Sequence, residues 1–276
     1  YHNDHGGCRS YHAGLAPGGE YYLSGFGQAI QELTFTKAID RAWPTFDDPL
    51  PRRLEDDSWM LMHMRGVYRE LQRRGTKVER FTLERDSDQL RPLHGTCDGF
   101  SIRPLCANGR VLMPDGTVRD PYADYITRRH PTAVNENAMS IGLKFEYGPF
   151  GLYTGGDFED WVPFADGSRH EIEELLAETV GMTTVAKVNH HGNKSMCEKL
   201  VSVLRSQVYV GCVWDWFHMD DATMTRLADR RLYRTLRASP LVRRGNSENG
   251  DFRRIYLGDV VHSGYTPHLR ISRRGA

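Results

Sequence analysis

Three short segments carry side chains of the kinds that bind divalent transition metals. The first opens the chain, where His2, Asp4 and His5 fall within four positions and are followed by two glycines. Imidazole nitrogens and carboxylate oxygens are the ligands that zinc and similar ions take. Glycine allows the backbone to pass close to an ion. A polar end with two histidines is also common in frayed termini, so the interpretation of this segment as a metal site depends on two further segments.

The other two segments place ligand-type residues directly after apolar runs. Residues 151–154 are apolar and aromatic, and they lead through two glycines to Asp157. Residues 183–188 are rich in β-branched side chains and lead to Asn-His-His-Gly at 189–192. Both patterns indicate buried strands that end in a turn. Strand ends are stiff supports, as a preorganised metal site requires.

In this order, the three segments resemble the metallo-β-lactamase family. The first motif of that family reads His-x-His-x-Asp-His and precedes a glycine-rich turn. His2, Asp4 and His5 match its last three named positions. The first histidine of the motif would precede the first residue given, which indicates a fragment cut within the motif.

Within that family, the chain most resembles the metallo-hydrolase domain of the ComEC competence protein. That subgroup has Asn-x-x-Ser before an apolar strand, followed by Gly-Asp and by His-His-Gly. The chain has these at 137–140, 156–157 and 190–192. The resemblance covers residues 1–215. It implies a four-layer αββα sandwich of the α/β (α+β) class, lacking its first strands and forming one domain over residues 1–276.

The resemblance also implies a set of metal ligands, which are His2, Asp4, His5, Asp157 and His191. Asp157 would reach between two ions. His191 is favoured over His190 because the family's ligand directly precedes the glycine. Zinc is the default ion for this mixture, as one or two ions, and manganese or iron would also be accepted. Asp4 and His190 are the catalytic candidates, with His190 as a proton carrier or, equally, as a structural histidine.

Metal-dependent hydrolysis is the chemistry that this ligand set implies. A water held by two cations loses a proton near neutral pH, and the hydroxide attacks a carbonyl or phosphorus centre. A phosphodiester or nucleic-acid-like substrate is the favoured expectation. A lactamase, lactonase or thioesterase on the same fold is the alternative, and a non-catalytic descendant that binds a nucleotide or a partner is a third.

The chain departs from the family pattern between the first motif and Asp157. The family often supplies a further histidine near the end of a strand in this interval. The predicted strand at 100–106 leads instead into Ala-Asn-Gly at 107–109. Three histidines stand elsewhere in the interval, namely His63, His94 and His130. The metal position nearer the N-terminus is therefore expected to be incomplete or to use a different ligand.

Strands and helices that alternate along the chain must position these residues. Apolar residues at intervals of three and four predict a helix over 57–74, which Gly75 ends. Further predicted helices cover 168–179, 194–205 and 220–236. Predicted strands cover 78–83, 100–106, 139–147, 151–155, 183–189 and 207–213, with ribbon-like segments at 253–257 and 268–272. Residues 107–138 are predicted to form a long loop.

Composition and charge restrict the class of protein. The 276 residues are 39% hydrophobic and 26% charged, which is typical of a polar globular chain of one large or two small domains. No stretch approaches the roughly 20 apolar residues of a membrane span. The five cysteines are odd in number and contain no Cys-x-x-Cys, so they do not indicate a disulfide framework. Nothing in the sequence indicates a compartment or an oligomeric state.

Basic residues are concentrated at the C-terminal end. Residues 225–276 contain 12 Arg and no Lys against four acidic residues, a net charge of +8 that leaves −8 on the rest. Beside a hydrolytic site, this charge favours a phosphodiester or nucleic acid over a neutral small molecule. The alternative is that the arginines solvate a helix face and strand edges. Lys194 and Ser195, at the start of a predicted helix, either bind an anion or simply cap that helix.

A weak second metal site is the first testable prediction. Two expected ligand positions have no residue assigned, so this chain should bind one ion tightly and a second ion poorly. Isothermal titration of zinc into the metal-free protein measures both sites. Two tight sites would contradict the prediction.

Overall fold

The chain divides into two compact units, Tyr1–Thr82 and Leu83–Ala276. The computed structural model describes residues 14–23, 25–48, 58–85, 87–91, 98–122, 136–159, 172–213, 219–229 and 260–263. The single domain expected over residues 1–276 stays a prediction. Within the described residues, no helix has the length and apolar character needed to cross a membrane.

The first unit contains a small βαβ arrangement preceded by a short helix. Its elements are α1 (Phe26–Glu32), β1 (Lys37–Asp40), α2 (Ser58–Arg73) and β2 (Lys77–Arg80). Strands β1 and β2 are parallel, as expected for strands joined through a helix. Helix α2 occupies the region where the sequence predicts a helix, and it buries Leu61, Val67, Tyr68 and Leu71.

A buried carboxylate fixes the end of β1 against α2. Asp40 Oδ1 accepts the backbone N–H groups of Ala42 and Trp43, both at 2.8 Å. Asp40 Oδ2 accepts the hydroxyl of Tyr68 at 2.8 Å. Burial and the neighbouring charge of Asp40 raise the pKa of Tyr68 well above its usual value. The phenol is therefore a permanent donor that anchors the loop after β1.

The second unit is built on one mixed sheet of eight strands. The strands are β3 (Phe100–Ala107), β4 (Arg110–Leu112), β5 (Val118–Arg119), β6 (Gly142–Tyr147), β7 (Phe150–Thr154), β8 (Val185–Lys187), β9 (Val208–Cys212) and β10 (Val260–Ser263). Their order across the sheet is β10-β9-β8-β7-β6-β3-β4-β5. From β5 to β7 neighbouring strands are antiparallel, and from β7 to β10 they are parallel.

Helices connect the parallel strands, because the chain must return to the same end of the sheet before each one. They are α3 (Ile172–Thr179), α4 (Glu198–Leu204) and α5 (Asp221–Ala228). Leu176 of α3 and Leu200 of α4 are buried in one apolar core with Ala186 of β8. This mixture of helices and strands confirms the α/β class expected from the sequence.

Two cations hold the C-terminal end of α3 against the antiparallel part of the sheet. Arg103 of β3 donates to the carbonyls of Thr179 and Val180 at 2.8 and 2.9 Å. Lys144 of β6 is buried and donates to Val180 O at 3.0 Å. The last carbonyls of a helix lack partners within the helix and carry its partial negative charge, so cations at this end are stabilising.

The predicted long loop at 107–138 is wrong in its first half. Strand β3 continues to Ala107, and residues 110–119 form the β4–β5 hairpin. Asp115 Oδ1 accepts the N–H of Thr117 at 2.9 Å and closes its turn. Strands of three and two residues are too short to show the alternation on which a strand prediction depends. Residues 123–135 of the predicted loop lie outside the described part of the chain.

Other element boundaries also differ from the predictions. A 3₁₀ turn over Asn137–Met139 precedes β6, so the strand predicted from 139 begins at Gly142. The helix predicted over 220–236 spans Asp221–Ala228, and Asp229 is extended, while residues 230–236 lie outside the described part of the chain. Described strand β10 lies between the two predicted ribbon segments, which are themselves outside the described residues.

Protonation of His63 is predicted to destabilise the first unit. This histidine of α2 is buried, and its Nδ1 accepts the N–H of Tyr22 at 3.1 Å. Burial lowers the pKa of His63 from its usual 6.5. The unfolded chain therefore binds the proton first as the pH falls. Stability is therefore greatest above about pH 6.5, the pKa of the unfolded chain, and is lost progressively as the pH falls from there towards the lower pKa of the folded state.

Denaturant unfolding at pH 7.5 and 5.5 tests this coupling in the wild type and in His63→Gln. The substitution itself costs stability because the site is buried, so the comparison concerns the change between the two pH values. The wild type should lose more stability on acidification than the variant. Equal losses would mean that His63 does not contribute.

Candidate functional site

The three motifs of the second unit, at 137–140, 156–157 and 190–192, meet at one edge of its sheet. Strands β7, β8 and β9 are parallel neighbours, and their carboxyl ends lead into residues 155–157, 189–192 and 212–213. Strand β6 runs antiparallel to β7, with Leu143 opposite Thr154, so the turn at 137–140 lies at the same edge. Crevices at the carboxyl ends of parallel strands are common ligand sites.

Asp157 and His191 face each other at this edge. His191 Nε2 lies 3.7 Å from Asp157 Oδ2. His191 Nδ1 lies 2.6 Å from the carbonyl oxygen of Cys212. Because a carbonyl can only accept, Nδ1 carries a proton, and Nε2 is the ring nitrogen directed towards the carboxylate. Two electron-pair donors that face one another suit a shared cation, and a backbone partner on the other ring nitrogen is typical of metal-binding histidines.

Asp157 is held from the backbone as well as through its side chain. Its N–H donates to Ser140 Oγ at 3.1 Å. Lys187 Nζ, reaching from β8, lies 3.9 Å from Asp157 Oδ1 and donates to Gly156 O at 2.8 Å. Burial lowers the pKa of Lys187, and the nearby charge of Asp157 opposes that shift. Sequence reasoning missed Lys187, although a lone charge within an apolar strand was a signal that could have identified it.

The His190-His191 turn has an unusual backbone. His190 and His191 have φ values of 43° and 58°, and Gly192 follows with 89°. A positive φ costs a residue with a side chain about 1–3 kcal/mol, and such strain collects at functional sites. A Cβ on Gly192 would lie 2.3 Å from Met219 Cγ, so glycine is required there. The N–H of His190 donates to Gly156 O at 3.2 Å, which ties this turn to the Gly-Asp turn.

The carboxylate of Glu173 in α3 accepts hydrogen bonds from residues on both sides of the His190–His191 turn. Its side chain is fully buried, and Oε1 accepts the amide of Asn189 at 2.6 Å and the N–H of Met196 at 2.9 Å. Oε2 accepts the N–H of Cys197 at 2.6 Å. One carboxylate therefore fixes both the residue before His190 and the start of α4. Sequence reasoning missed Glu173, since it stands in an acidic helical segment without any distinguishing pattern.

At the predicted anion site, the backbone N–H of Lys194 and the hydroxyl of Ser195 are bonded to other groups of the protein. Ser195 is buried, and its hydroxyl donates to Asn189 O at 2.6 Å. The N–H of Lys194 donates to the Asp220 carboxylate. Helix α4 begins at Glu198, four residues later than predicted. The hydroxyl and this amide thus serve the loop itself, which favours the structural alternative for these residues.

His190 is directed towards a second polar group, formed by Asn137 and Glu159. Its Nδ1 lies 2.7 Å from Asn193 O, so this nitrogen carries the proton. Its Nε2 lies 3.4 Å from Asn137 Nδ2, which also donates to Glu159 Oε1. Glu159 Oε1 lies 3.7 Å from His190 Nδ1. The two histidines thus have different surroundings, and Glu159, two residues after Asp157, was missed from the sequence.

Three of the six predicted site residues lie in the part of the chain that the structure describes. Asp157, His190 and His191 come together at the sheet edge, whereas His2, Asp4 and His5 lie outside the described residues. Among the residues that are described, no group of three or more His, Cys, Asp or Glu could hold a metal ion. The described residues thus supply a pair of candidate ligands.

A scan against protein families finds no family that matches the chain. A search of curated proteins finds no matching sequence.

Glu173 is predicted to set the stability of this region. Glu173→Ala leaves three donors buried without their acceptor, at about 1–3 kcal/mol each, less any part that entering water recovers. We expect the free energy of unfolding to fall by about 3–5 kcal/mol. Glu174→Ala on the same helical turn is the matched control, because Glu174 is exposed and should change stability by less than about 0.5 kcal/mol. Denaturant unfolding measures both, and equal effects would contradict the role of Glu173.

Proposed function

We propose that the chain is a metal-dependent hydrolase with the four-layer αββα fold of the metallo-β-lactamase family, in a ComEC-like form. The observation that supports this most strongly is the pairing of Asp157 with His191, whose proton is fixed on Nδ1. The order of motifs along the chain supports it independently.

The described donor pair fits a divalent transition metal. One imidazole nitrogen and one carboxylate oxygen converge, and His2, Asp4 and His5 are the further ligands in this proposal. Zinc suits such a mixture best, and manganese or iron also accepts it. When bound, the ion supplies a Lewis acid that polarises a substrate oxygen and acidifies water.

The chain's own residues supply orientation and a proton acceptor. The hydrogen bond from His191 Nδ1 to Cys212 O fixes the ring and makes Nε2 more electron-rich. Ser140 fixes the backbone of Asp157. His190 keeps its proton on Nδ1, so Nε2 is the atom at which it can accept one. This is the role proposed for His190, with Asn137 and Glu159 holding the ring, while Asp4 is the other proposed catalytic residue.

A phosphodiester is the substrate class that the charge of the chain favours. Residues 225–276 carry a net charge of +8, and a basic segment raises the local concentration of a polyanion. A nucleic acid is the natural polymer of that kind. Lactam, lactone and thioester substrates are not polyanions, so a comparison of turnover rates distinguishes these substrate classes from a phosphodiester.

The experiment compares the metal-loaded wild type with Asp157→Asn and His191→Ala. The wild type should hydrolyse bis-p-nitrophenyl phosphate faster than a lactam or a thioester. Each variant should lose activity by at least about 100-fold and lose bound metal, because each removes a proposed ligand. Asp115→Asn, in the β4–β5 turn, is the control and should behave as the wild type.

Metal content decides what a negative result means. A fully loaded protein that turns over none of the three substrates would overturn the enzyme proposal and leave a binding role. Turnover of the lactam or thioester alone would overturn only the substrate class. A protein that binds no metal would overturn the proposal altogether.

A further inference from the structure

The Lys187 side chain is bonded to the backbone of the candidate site. Its Nζ donates to Gly156 O at 2.8 Å and to Val188 O at 3.2 Å, and Asp157 Oδ1 lies 3.9 Å away. An ammonium group has three protons and no acceptor. Two of its protons are donated to the carbonyls, and its positive charge lies 3.9 Å from Asp157 Oδ1.

The contacts of Lys187 join the two turns that carry the candidate ligands. Lys187 belongs to β8, three residues before His190, whereas Gly156 and Asp157 follow β7. Gly156 O also accepts the N–H of His190 at 3.2 Å. A single carbonyl is therefore shared by the lysine side chain and the histidine turn. Removing the ammonium would leave the N–H of His190 as the other donor to Gly156 O and would weaken the attachment of the Gly-Asp turn.

The two oxygens of Asp157 face different groups. Oδ1 is on the side of the Lys187 ammonium, at 3.9 Å, and Oδ2 is on the side of His191 Nε2, at 3.7 Å. A rotation that moved Oδ1 away from the Lys187 ammonium would weaken the attraction between the two charges. The ammonium thus selects the carboxylate orientation that directs one oxygen at the imidazole.

We propose that Lys187 is a positioning residue for the metal ion: it orients Asp157 so that one carboxylate oxygen and His191 Nε2 are presented together. This inference rests on the proposed function, since it concerns the same ion. Lys187 also opposes the ion, because a positive charge near the site repels a cation. The ammonium lies on the Oδ1 side, away from the oxygen that faces the imidazole, so orientation outweighs repulsion and the lysine increases metal affinity.

The test is the affinity for zinc of the wild type, Lys187→Met and Lys199→Met, each measured by competition with a chelating dye. Met keeps most of the length of the chain and removes the charge and the donors. Lys187→Met should bind zinc about 10–100-fold more weakly, the usual effect of removing a group that orients a ligand. Lys199 pairs with Glu178 on the surface and is the matched control, whose affinity should match the wild type.

A cobalt-substituted sample gives a readout that a loss of stability alone would not change. The visible spectrum of bound cobalt depends on the geometry of its ligands. At saturating cobalt, the spectrum of Lys187→Met should differ from that of the wild type, and Lys199→Met should not. Far-UV circular dichroism shows whether each variant is folded. If Lys187→Met does not fold, Lys187→Gln is judged by the same criteria.

The outcomes separate this inference from the proposed function. Wild-type protein without metal affinity would overturn the proposed function and this inference with it. Wild-type binding with equal or tighter binding in the Lys187 variant would overturn the inference alone, because repulsion would then outweigh orientation. Weaker binding with a changed cobalt spectrum supports it.

Discussion

The buried carboxylate of Glu173 is the interaction on which the site depends. A buried charge without partners is very costly, so this carboxylate requires the donors that surround it. Those donors are the side chain of Asn189 and the N–H groups of Met196 and Cys197. They lie on both sides of the His190–His191 turn. The strained backbone of that turn persists because its two ends are fixed to the same helix.

Ion pairs and a hydrogen bond connect the site residues from one strand to the next along this edge of the sheet. The Lys187 ammonium of β8 faces Asp157 after β7, and Asp157 faces His191 after β8. His191 in turn donates to the backbone of β9 through Cys212. Each contact joins neighbouring parallel strands, so the sheet itself sets the spacing of the side chains. A site of this kind needs few long loops, because strand ends supply both the ligands and their supports.

Much of the second unit could be predicted because its strands and helices have strong patterns. Strands β7, β8 and β9 and helices α3 and α4 were all anticipated, with boundaries that differ by a few residues. The β4–β5 hairpin and α1 were not. A seven-residue helix that buries only Gly27 and Ile30 shows no periodicity, and very short strands show no alternation. Their positions depend on contacts with distant parts of the chain.

By itself, the sequence determined which ligand-type residues follow apolar strands, namely Asp157 and the His190–His191 pair, since residue type and local pattern are written in the chain. Tertiary structure decided that His191 faces the carboxylate while His190 turns towards Asn137. It also placed Glu173 beside Asn189 and Lys187 beside Asp157. The reason is that hydrogen bonds are directional and join residues far apart in sequence, so the partner of a polar side chain is known only when the strands and helices are assembled.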